Sequence, residues 1–160
     1  MTESRTSSTE QVVEKEQKVE NTTLETQEQV KETVSTTKGL EIVSYAKQFL
    51  GGKYVSGGND PATGVDCSGF TKYVFAHFGY TLARTTTGQA ENGKEVAKSE
   101  MQEGDIIIFL NDSKSSIGHV GIYIGNNQFI HSANAKRGIV IDNVDNSYYK
   151  PRFVCARRII

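Results

Sequence analysis

The sequence predicts an α+β domain in which helices come first along the chain and an antiparallel sheet follows. Two stretches between residues 39 and 79 carry apolar residues at helical intervals. From residue 105 onward, the apolar residues instead occur in short runs separated by glycine, asparagine and aspartate, which is typical of strands and turns. These runs predict a sheet of about five strands.

The first 38 residues have a different composition from the rest of the chain. Residues 1–38 contain no aromatic residue, glycine or proline, and they are rich in Glu, Gln, Thr, Ser and Lys. Such a segment buries too little apolar surface to offset the entropy of ordering, which predicts a disordered acidic tail or linker. Residues 39–160, about 120 residues, are long enough for one domain with its own core.

Charge and composition exclude several classes of protein. The formal net charge is −1, and no run of Lys and Arg is interleaved with aromatic residues, so no nucleic acid partner is expected. No stretch approaches the roughly 20 apolar residues of a membrane span. The first residues lack the apolar region of a signal peptide. Cys155 lies in an apolar run and is interpreted as a core residue rather than as a disulfide partner of Cys67.

The two predicted helices precede and follow a glycine-rich loop. The first covers residues 39–50 and stops at Gly51-Gly52, and the second covers residues 68–79 and stops at Gly79. Residues 54–65 between them are rich in turn-forming residues. The apolar positions that define the helices are Ile42, Tyr45, Ala46, Phe49 and Leu50 in the first, and Phe70, Val74 and Phe78 in the second.

The strands follow a polar, Thr-rich connection over residues 84–93. Residues 105–110 form a continuous apolar run, which predicts a strand buried on both faces. Further strands are predicted at residues 118–125, 128–132, 138–144 and 152–160. A hairpin turn at Asn126-Asn127 would place His119 opposite Ala133 or Asn134, two or three positions from His131.

Cys67 and two histidines form a candidate catalytic set. Cys67 stands at the start of the second helix, where the helix dipole favours a thiolate. A cysteine nucleophile needs a base and a group that orients the base, and His119 and His131 can fill these roles. The set predicts a cysteine hydrolase. A zinc site from the same three residues lacks a closely spaced ligand pair, so no metal or cofactor is predicted.

Six motifs in register resemble the NlpC/P60 family of cell-wall cysteine peptidases. The resemblance covers about residues 40–160, with two departures: Ser56 replaces a bulky aromatic residue and Ala83 replaces a proline. The motifs, in chain order, are Tyr54 with Gly57-Gly58, Asp66-Cys67-Ser68-Gly69, Leu82-Ala83-Arg84-Thr85, Gly104-Asp105-Ile106, His119-Val120-Gly121-Ile122-Tyr123-Ile124-Gly125 and Phe129-Ile130-His131-Ser132.

The resemblance implies a papain-like α+β fold whose cysteine helix packs on the sheet. It also implies hydrolysis of the stem peptide of peptidoglycan, most often between D-γ-glutamyl and a diamino acid. In that reaction Cys67 attacks the carbonyl, His119 accepts and returns the proton, and His131 holds the ring of His119.

The resemblance also assigns substrate contacts. Tyr54 and the backbone N–H of Cys67 would face the developing oxyanion. Asp66 and Ser68 would contact the free amino end of the stem peptide, and Arg84 and Thr86 would belong to the same pocket.

Two alternatives stay open at this point. One is an amidase that cuts between the sugar and the stem peptide, and the other is a non-catalytic module that binds the cell wall. In each case the substrate lies outside the membrane, so an extracellular or cell-wall location is expected. An export signal and further domains are then expected upstream in a longer protein.

Overall fold

The fold is centred on one six-stranded antiparallel sheet. The computed structural model describes residue 34 and residues 36–160. Of the predicted tail, residues 1–33 and 35 lie outside the described residues, while residues 36–38 are already helical. Residues Thr36–Ile160 form one compact unit.

The first helix, α1, covers residues 36–47 and buries Ile42, Val43 and Ala46. Its end differs from the prediction. Residues 48–50 form tight turns in which each N–H donates to the carbonyl three residues earlier. These turns take Leu50 out of helical register, and it is 45% exposed rather than part of the core.

The predicted loop contains a small hairpin that leads into the cysteine helix. Its strands are β1 (Asn59–Asp60) and β2 (Gly64–Val65), which pair antiparallel, and Tyr54 bridges to Val65. The second helix, α2, covers Cys67–His77 rather than the predicted residues 68–79, and Cys67 stands at its start, as predicted. A four-residue helix, α3 (Thr86–Gln89), lies in the Thr-rich connection and was not predicted.

The sheet has six strands, one more than predicted. The additional strand, β3 (Lys94–Val96), pairs with the last strand at the sheet edge. Three residues carry too little periodicity for sequence analysis to identify them. The other strands are β4 (Ile106–Leu110), β5 (Ile117–Gly125), β6 (Gln128–Ser132), β7 (Ile139–Asn143) and β8 (Phe153–Arg158), and the spatial order is β3-β8-β4-β5-β6-β7.

The sheet packs apolar side chains on both faces, as predicted for the central strand. Ile106, Ile107, Ile108 and Phe109 of β4 are all fully buried. On one face, α1 and α2 cover the sheet in a core that includes Phe70, Val74, Phe75, Ile106, Ile108, Val120, Ile122 and Ile130. On the other face, a smaller cluster contains Ile107, Phe109, Phe129, Val144 and Tyr149. The predicted α+β fold with helices on an antiparallel sheet is therefore confirmed.

A two-residue turn joins β5 to β6. Asn126 and Asn127 have φ values of 51° and 60°, the left-handed conformation that two-residue hairpin turns require and that asparagine tolerates. The register aligns Ile122 with Ile130 and Tyr123 with Phe129. Continued along the ladder, it brings the segment around His119 beside the segment around His131. Within the described residues, no helix combines the length and apolar character needed to cross a bilayer.

Candidate active site

Cys67 is the first residue of α2 and is only 9% exposed. Asp66 caps the helix, and its Oδ1 accepts from the backbone N–H of Gly69 at 2.7 Å. Gly69 has no room for a side chain, because a Cβ there would overlap the carbonyl oxygen of Gly58. The loop before the nucleophile therefore packs directly against the first turn of the helix.

Opposing effects act on the Cys67 thiol. Burial raises its pKa, whereas hydrogen bonds from Thr86 and from the backbone of Val120 and Ser68 lower it. Thr86 Oγ1 lies 3.6 Å from Cys67 Sγ. The net pKa of the Cys67 thiol is raised, contrary to the lowering expected from the helix start, because burial outweighs these hydrogen bonds. The thiolate therefore depends on partners that share its proton.

The two histidines meet edge to face across the β5–β6 pair. His119 Nε2 lies 2.7 Å from His131 Nδ1, and the ring planes are 82° apart. This contact confirms the proximity predicted from the hairpin turn. His131 is fully buried, whereas His119 is half-buried and stacks against Tyr149. This contact uses Nε2 of His119, so its other ring nitrogen, Nδ1, remains available for a different partner.

On the far side of His131 from His119, a carboxylate bonds to the ring and is itself paired with a guanidinium. His131 Nε2 lies 2.7 Å from Asp142 Oδ2, and Arg137 donates two hydrogen bonds to the Asp142 carboxylate, at 2.7 and 2.9 Å. Neither residue was predicted from the sequence. The pairing of β6 with β7 indicates Asp142, because Phe129 lies opposite Asp142, and His131 is two residues after Phe129 on the same face of β6.

Burial also governs the ionisation of the histidines. It lowers the pKa of His119, and the neighbouring His131 adds to this shift while Asp142 opposes it. Burial likewise lowers the pKa of His131, against the hydrogen bond to Asp142. Burial therefore favours the neutral form of both rings, in which one nitrogen of each carries the proton.

Cys67 and His119 line one cavity of about 440 Å³. Tyr54 also lines it, as predicted for an oxyanion contact, and burial raises the pKa of the Tyr54 hydroxyl. The other lining residues are Leu110, Asn111, Asp112, Gly118, Ala133, Asn134, Arg137, Asn146, Tyr148 and Tyr149. The wall is therefore largely polar, with several amides that can bond to a peptide backbone.

Three of the remaining predicted site residues form a network beside the cysteine. Both terminal nitrogens of Arg84 lie 3.1 Å from Asp66 carboxylate oxygens, and Nη1 also donates to Ser68 Oγ at 2.9 Å. Arg84 further donates to the carbonyl of Gly58 at 3.2 Å. Asp66, Ser68 and Arg84 thus fix the loop to the start of α2. Thr86 lies apart from them, against Cys67 Sγ.

Gln89 is a third residue that was not predicted from the sequence. Its side chain is fully buried, and its Nε2 donates to the carbonyls of Ser68 and Ala83, both at 2.9 Å. Its Oε1 accepts from Thr71 Oγ1 at 2.6 Å. Gln89 therefore joins the first turn of α2 to the loop that carries Arg84. No sequence signal marked it within a segment interpreted as a connection.

Replacing Gln89 by alanine is expected to lower the free energy of unfolding by about 2–3 kcal/mol, because buried carbonyl and hydroxyl groups lose their partners. Thermal and denaturant unfolding measure the change. Gln128→Ala is the matched control, because Gln128 is exposed on β6. Equal stability of the two variants would contradict the role given to Gln89.

Iodoacetamide is expected to alkylate Cys67 at least about tenfold faster than Cys155 at pH 7, since only Cys67 combines a helix start with a nearby histidine. Cys155 lies on β8, where burial raises the pKa of its thiol. Mass spectrometry of timed digests measures both rates in one sample. Equal rates, or faster labelling of Cys155, would contradict the nucleophile assignment.

Comparison with known proteins gives consistent matches. The NlpC/P60 family profile matches residues 51–158. A probable endopeptidase p60 from Listeria seeligeri is 46% identical over 106 residues, which are 66% of this chain and 19% of that protein. A murein DD-endopeptidase MepS/murein LD-carboxypeptidase from Escherichia coli K12 is 40% identical over 120 residues, which are 74% of this chain and 62% of that protein.

A third relative and a solved structure extend the comparison. A gamma-D-glutamyl-L-lysine dipeptidyl-peptidase from Bacillus cereus is 35% identical over 128 residues, covering 79% of this chain and 38% of that protein. The crystal structure of an NlpC/P60 family protein from Bacillus cereus matches with a TM-score of 0.70 at 36% identity, covering 74% of this chain and 39% of that one. The chain therefore spans less than two thirds of each of these proteins. From the family profile, these relatives and the shared fold, the chain belongs to the NlpC/P60 family.

Proposed function

We propose that this protein is a peptidoglycan peptidase that hydrolyses an amide bond in the stem peptide, with Cys67 as nucleophile. The observation that carries the proposal is one cavity lined by both Cys67 and His119, with His131 bonded behind His119 at 2.7 Å. The names of the relatives supply the substrate class: murein for the Escherichia coli protein and a γ-D-glutamyl-L-lysine bond for the Bacillus cereus protein.

The mechanism follows from the positions of these groups. Cys67 Sγ attacks the amide carbonyl carbon while its proton passes to Nδ1 of His119. The charges on thiolate and imidazolium offset each other, so the pair can form during the attack even though burial disfavours each charge alone. Tyr54 and the backbone N–H of Cys67 donate to the oxyanion.

Two further steps complete the reaction. The His119 imidazolium protonates the leaving amine as the carbon–nitrogen bond breaks, which leaves a thioester on Cys67. His119 then takes a proton from water, and the resulting hydroxide attacks the thioester and releases a carboxylate product. His119 returns the proton to Cys67 Sγ. No metal or redox partner enters these steps.

The bond between D-γ-glutamyl and the diamino acid is the proposed site of cleavage. Asp66, Ser68, Arg84 and Thr86 are the proposed contacts of the free amino end of the substrate. Arg84 already bonds to both Asp66 oxygens, so an incoming ammonium group has to share them. Arg84 also orients the Ser68 hydroxyl, which can accept from that ammonium group. In this proposal the protein acts outside the cell membrane, in the wall, as one part of a longer protein.

Mass spectrometry of purified muropeptides treated with the full chain tests the function. The expected products are a disaccharide that keeps L-Ala–D-Glu and a separate fragment that begins with the diamino acid. Release of intact stem peptides would instead indicate an amidase. Loss of only the terminal D-Ala would indicate a carboxypeptidase. Tight binding to wall without any product would indicate a binding module, and each of these three results overturns the proposed cleavage.

A further inference from the structure

Asp142 lies behind the histidine pair rather than in the cavity. It is on β7, its side chain is 14% exposed, and it is absent from the residues that line the cavity. Its two polar partners are His131 and Arg137. A carboxylate in this position cannot touch the substrate, yet it is connected to the catalytic base through one imidazole ring.

The donors and acceptors along this connection have a fixed order. An ionised carboxylate only accepts hydrogen bonds, so the proton between Asp142 and His131 lies on His131 Nε2. In neutral His131, Nδ1 then has a lone pair and accepts from His119 Nε2. The proton of neutral His119 therefore lies on Nε2, which leaves its Nδ1 free to accept a proton.

We propose that Asp142, held by Arg137, is a positioning residue that sets the tautomers of both histidines and thereby keeps Nδ1 of His119 available as the base. This inference rests on the proposed roles of Cys67 and His119. It extends the site from three residues to five, on α2, three neighbouring strands and the β6–β7 connection.

Arg137 keeps the carboxylate in the accepting state. Its two hydrogen bonds occupy both carboxylate oxygens, and together with the His131 bond they hold the pKa of Asp142 well below its usual range despite burial. A protonated Asp142 could donate to His131 Nε2 and reverse the order of donors. The guanidinium opposes this protonation, because its two hydrogen bonds and its charge favour the ionised carboxylate.

The charge of Asp142 also supports the imidazolium that forms during the reaction. It raises the pKa of His119 and of His131, against the dominant effect of burial, which lowers both. Arg137 bonds to Asp142, and Tyr149 packs against both histidine rings. The other titratable groups that line the cavity with His119 are Tyr54, Cys67, Asp112 and Tyr148. Removing the Asp142 charge would therefore shift the limb of the pH profile that reports His119 to lower pH, because the imidazole binds its proton less tightly.

The first experiment observes the tautomers without using activity. In the full chain labelled with ¹⁵N-histidine, the ring nitrogen shifts should show His119 protonated at Nε2 and bare at Nδ1. In Asp142→Asn, the amide NH2 can donate to His131 Nε2, so the protons of both rings should move to Nδ1. His77, exposed and outside the site, serves as the reference signal. Unchanged tautomers in the variant would overturn the proposal.

The second experiment measures turnover. Asp142→Asn should lower kcat by about 10²-fold with KM changed by less than about threefold, since a wrong tautomer disables the base without altering binding. Asp145→Asn is the matched control. Asp145 lies three residues after Asp142, pairs with Lys98 and does not line the cavity. The inference would be overturned if Asp142→Asn kept the wild-type kcat and the pH profile of its activity did not shift. A loss that only follows a lower folded fraction would also overturn it.

The two experiments separate this inference from the proposed function. If the wild-type chain cleaves no stem peptide while the tautomers respond to Asp142→Asn as expected, the proposed function fails and the positioning role stands. If cleavage occurs and the tautomers do not respond, the proposed function stands and the positioning role fails.

Discussion

Replacing Cys67 by alanine is expected to abolish hydrolysis of a soluble stem peptide, with turnover lower by on the order of 10⁴-fold or more. Of the described residues that line the cavity, only Cys67 carries a thiol, and its side chain is the group that would form the thioester. Thr86 lies against Sγ but belongs to another element and cannot take over the attack from its own position. Mass spectrometry of the products, or release of a new amino group, measures the residual rate.

The loss should come from chemistry rather than from unfolding. Cys67 is small and lies at a helix end, so alanine should change the free energy of unfolding by no more than about 1–2 kcal/mol. Cys155→Ala is the matched control, because it also removes one partly buried thiol and leaves the cavity intact. Undiminished lysis of purified wall by Cys67→Ala would show that the nucleophile is elsewhere or that the activity is not thiol chemistry.

The two histidines are expected to respond differently to the same substitutions. Asn or Gln at position 119 should lower turnover by about 10³-fold, because an amide cannot accept and return the proton. At position 131 the loss should be about 10- to 100-fold, because an amide oxygen can still accept from His119 Nε2, the role proposed for His131 Nδ1. His131→Ala removes that acceptor and should be worse than His131→Gln.

Steady-state rates on one peptide and thermal midpoints of all variants are the required measurements. His77→Asn is the control, because His77 is an exposed residue of α2 that stacks on Tyr45 outside the cavity. Identical losses at positions 119 and 131 would refute the division into base and orienting residue. Full activity of His119→Gln would refute the proposed mechanism itself.

The sequence predicts the main elements of the fold because they carry strong periodic signals. The second helix, the central strand and the β5–β6 hairpin are all where spacing and turn residues placed them. The elements that were not predicted are short or irregular. The three-residue strand β3 and the four-residue helix α3 are stabilised by contacts with distant segments, which local patterns do not encode.

The residues of the candidate site likewise fall into those that local sequence patterns predict and those that they do not. Cys67, His119 and His131 could be predicted because a reactive side chain stands next to a recognisable helix start or strand. Asp142 and Gln89 carry no such local signal, because an aspartate in a strand and a glutamine in a connection are usually solvated. Their importance comes from where the tertiary structure places them, behind His131 and beneath the first turn of α2.

The Asn126-Asn127 turn has a consequence for how activity arises during folding. His119 and His131 are 12 residues apart and lie on one hairpin, so local closure brings them together within microseconds in an isolated chain segment. Cys67 belongs to a helix that must dock across the sheet from far along the sequence, which is a slower, non-local event. An incompletely folded chain thus carries the proton acceptor without its nucleophile. Activity is therefore expected to require the docking of α2, and a local opening of α2 is expected to abolish activity even where the sheet stays folded.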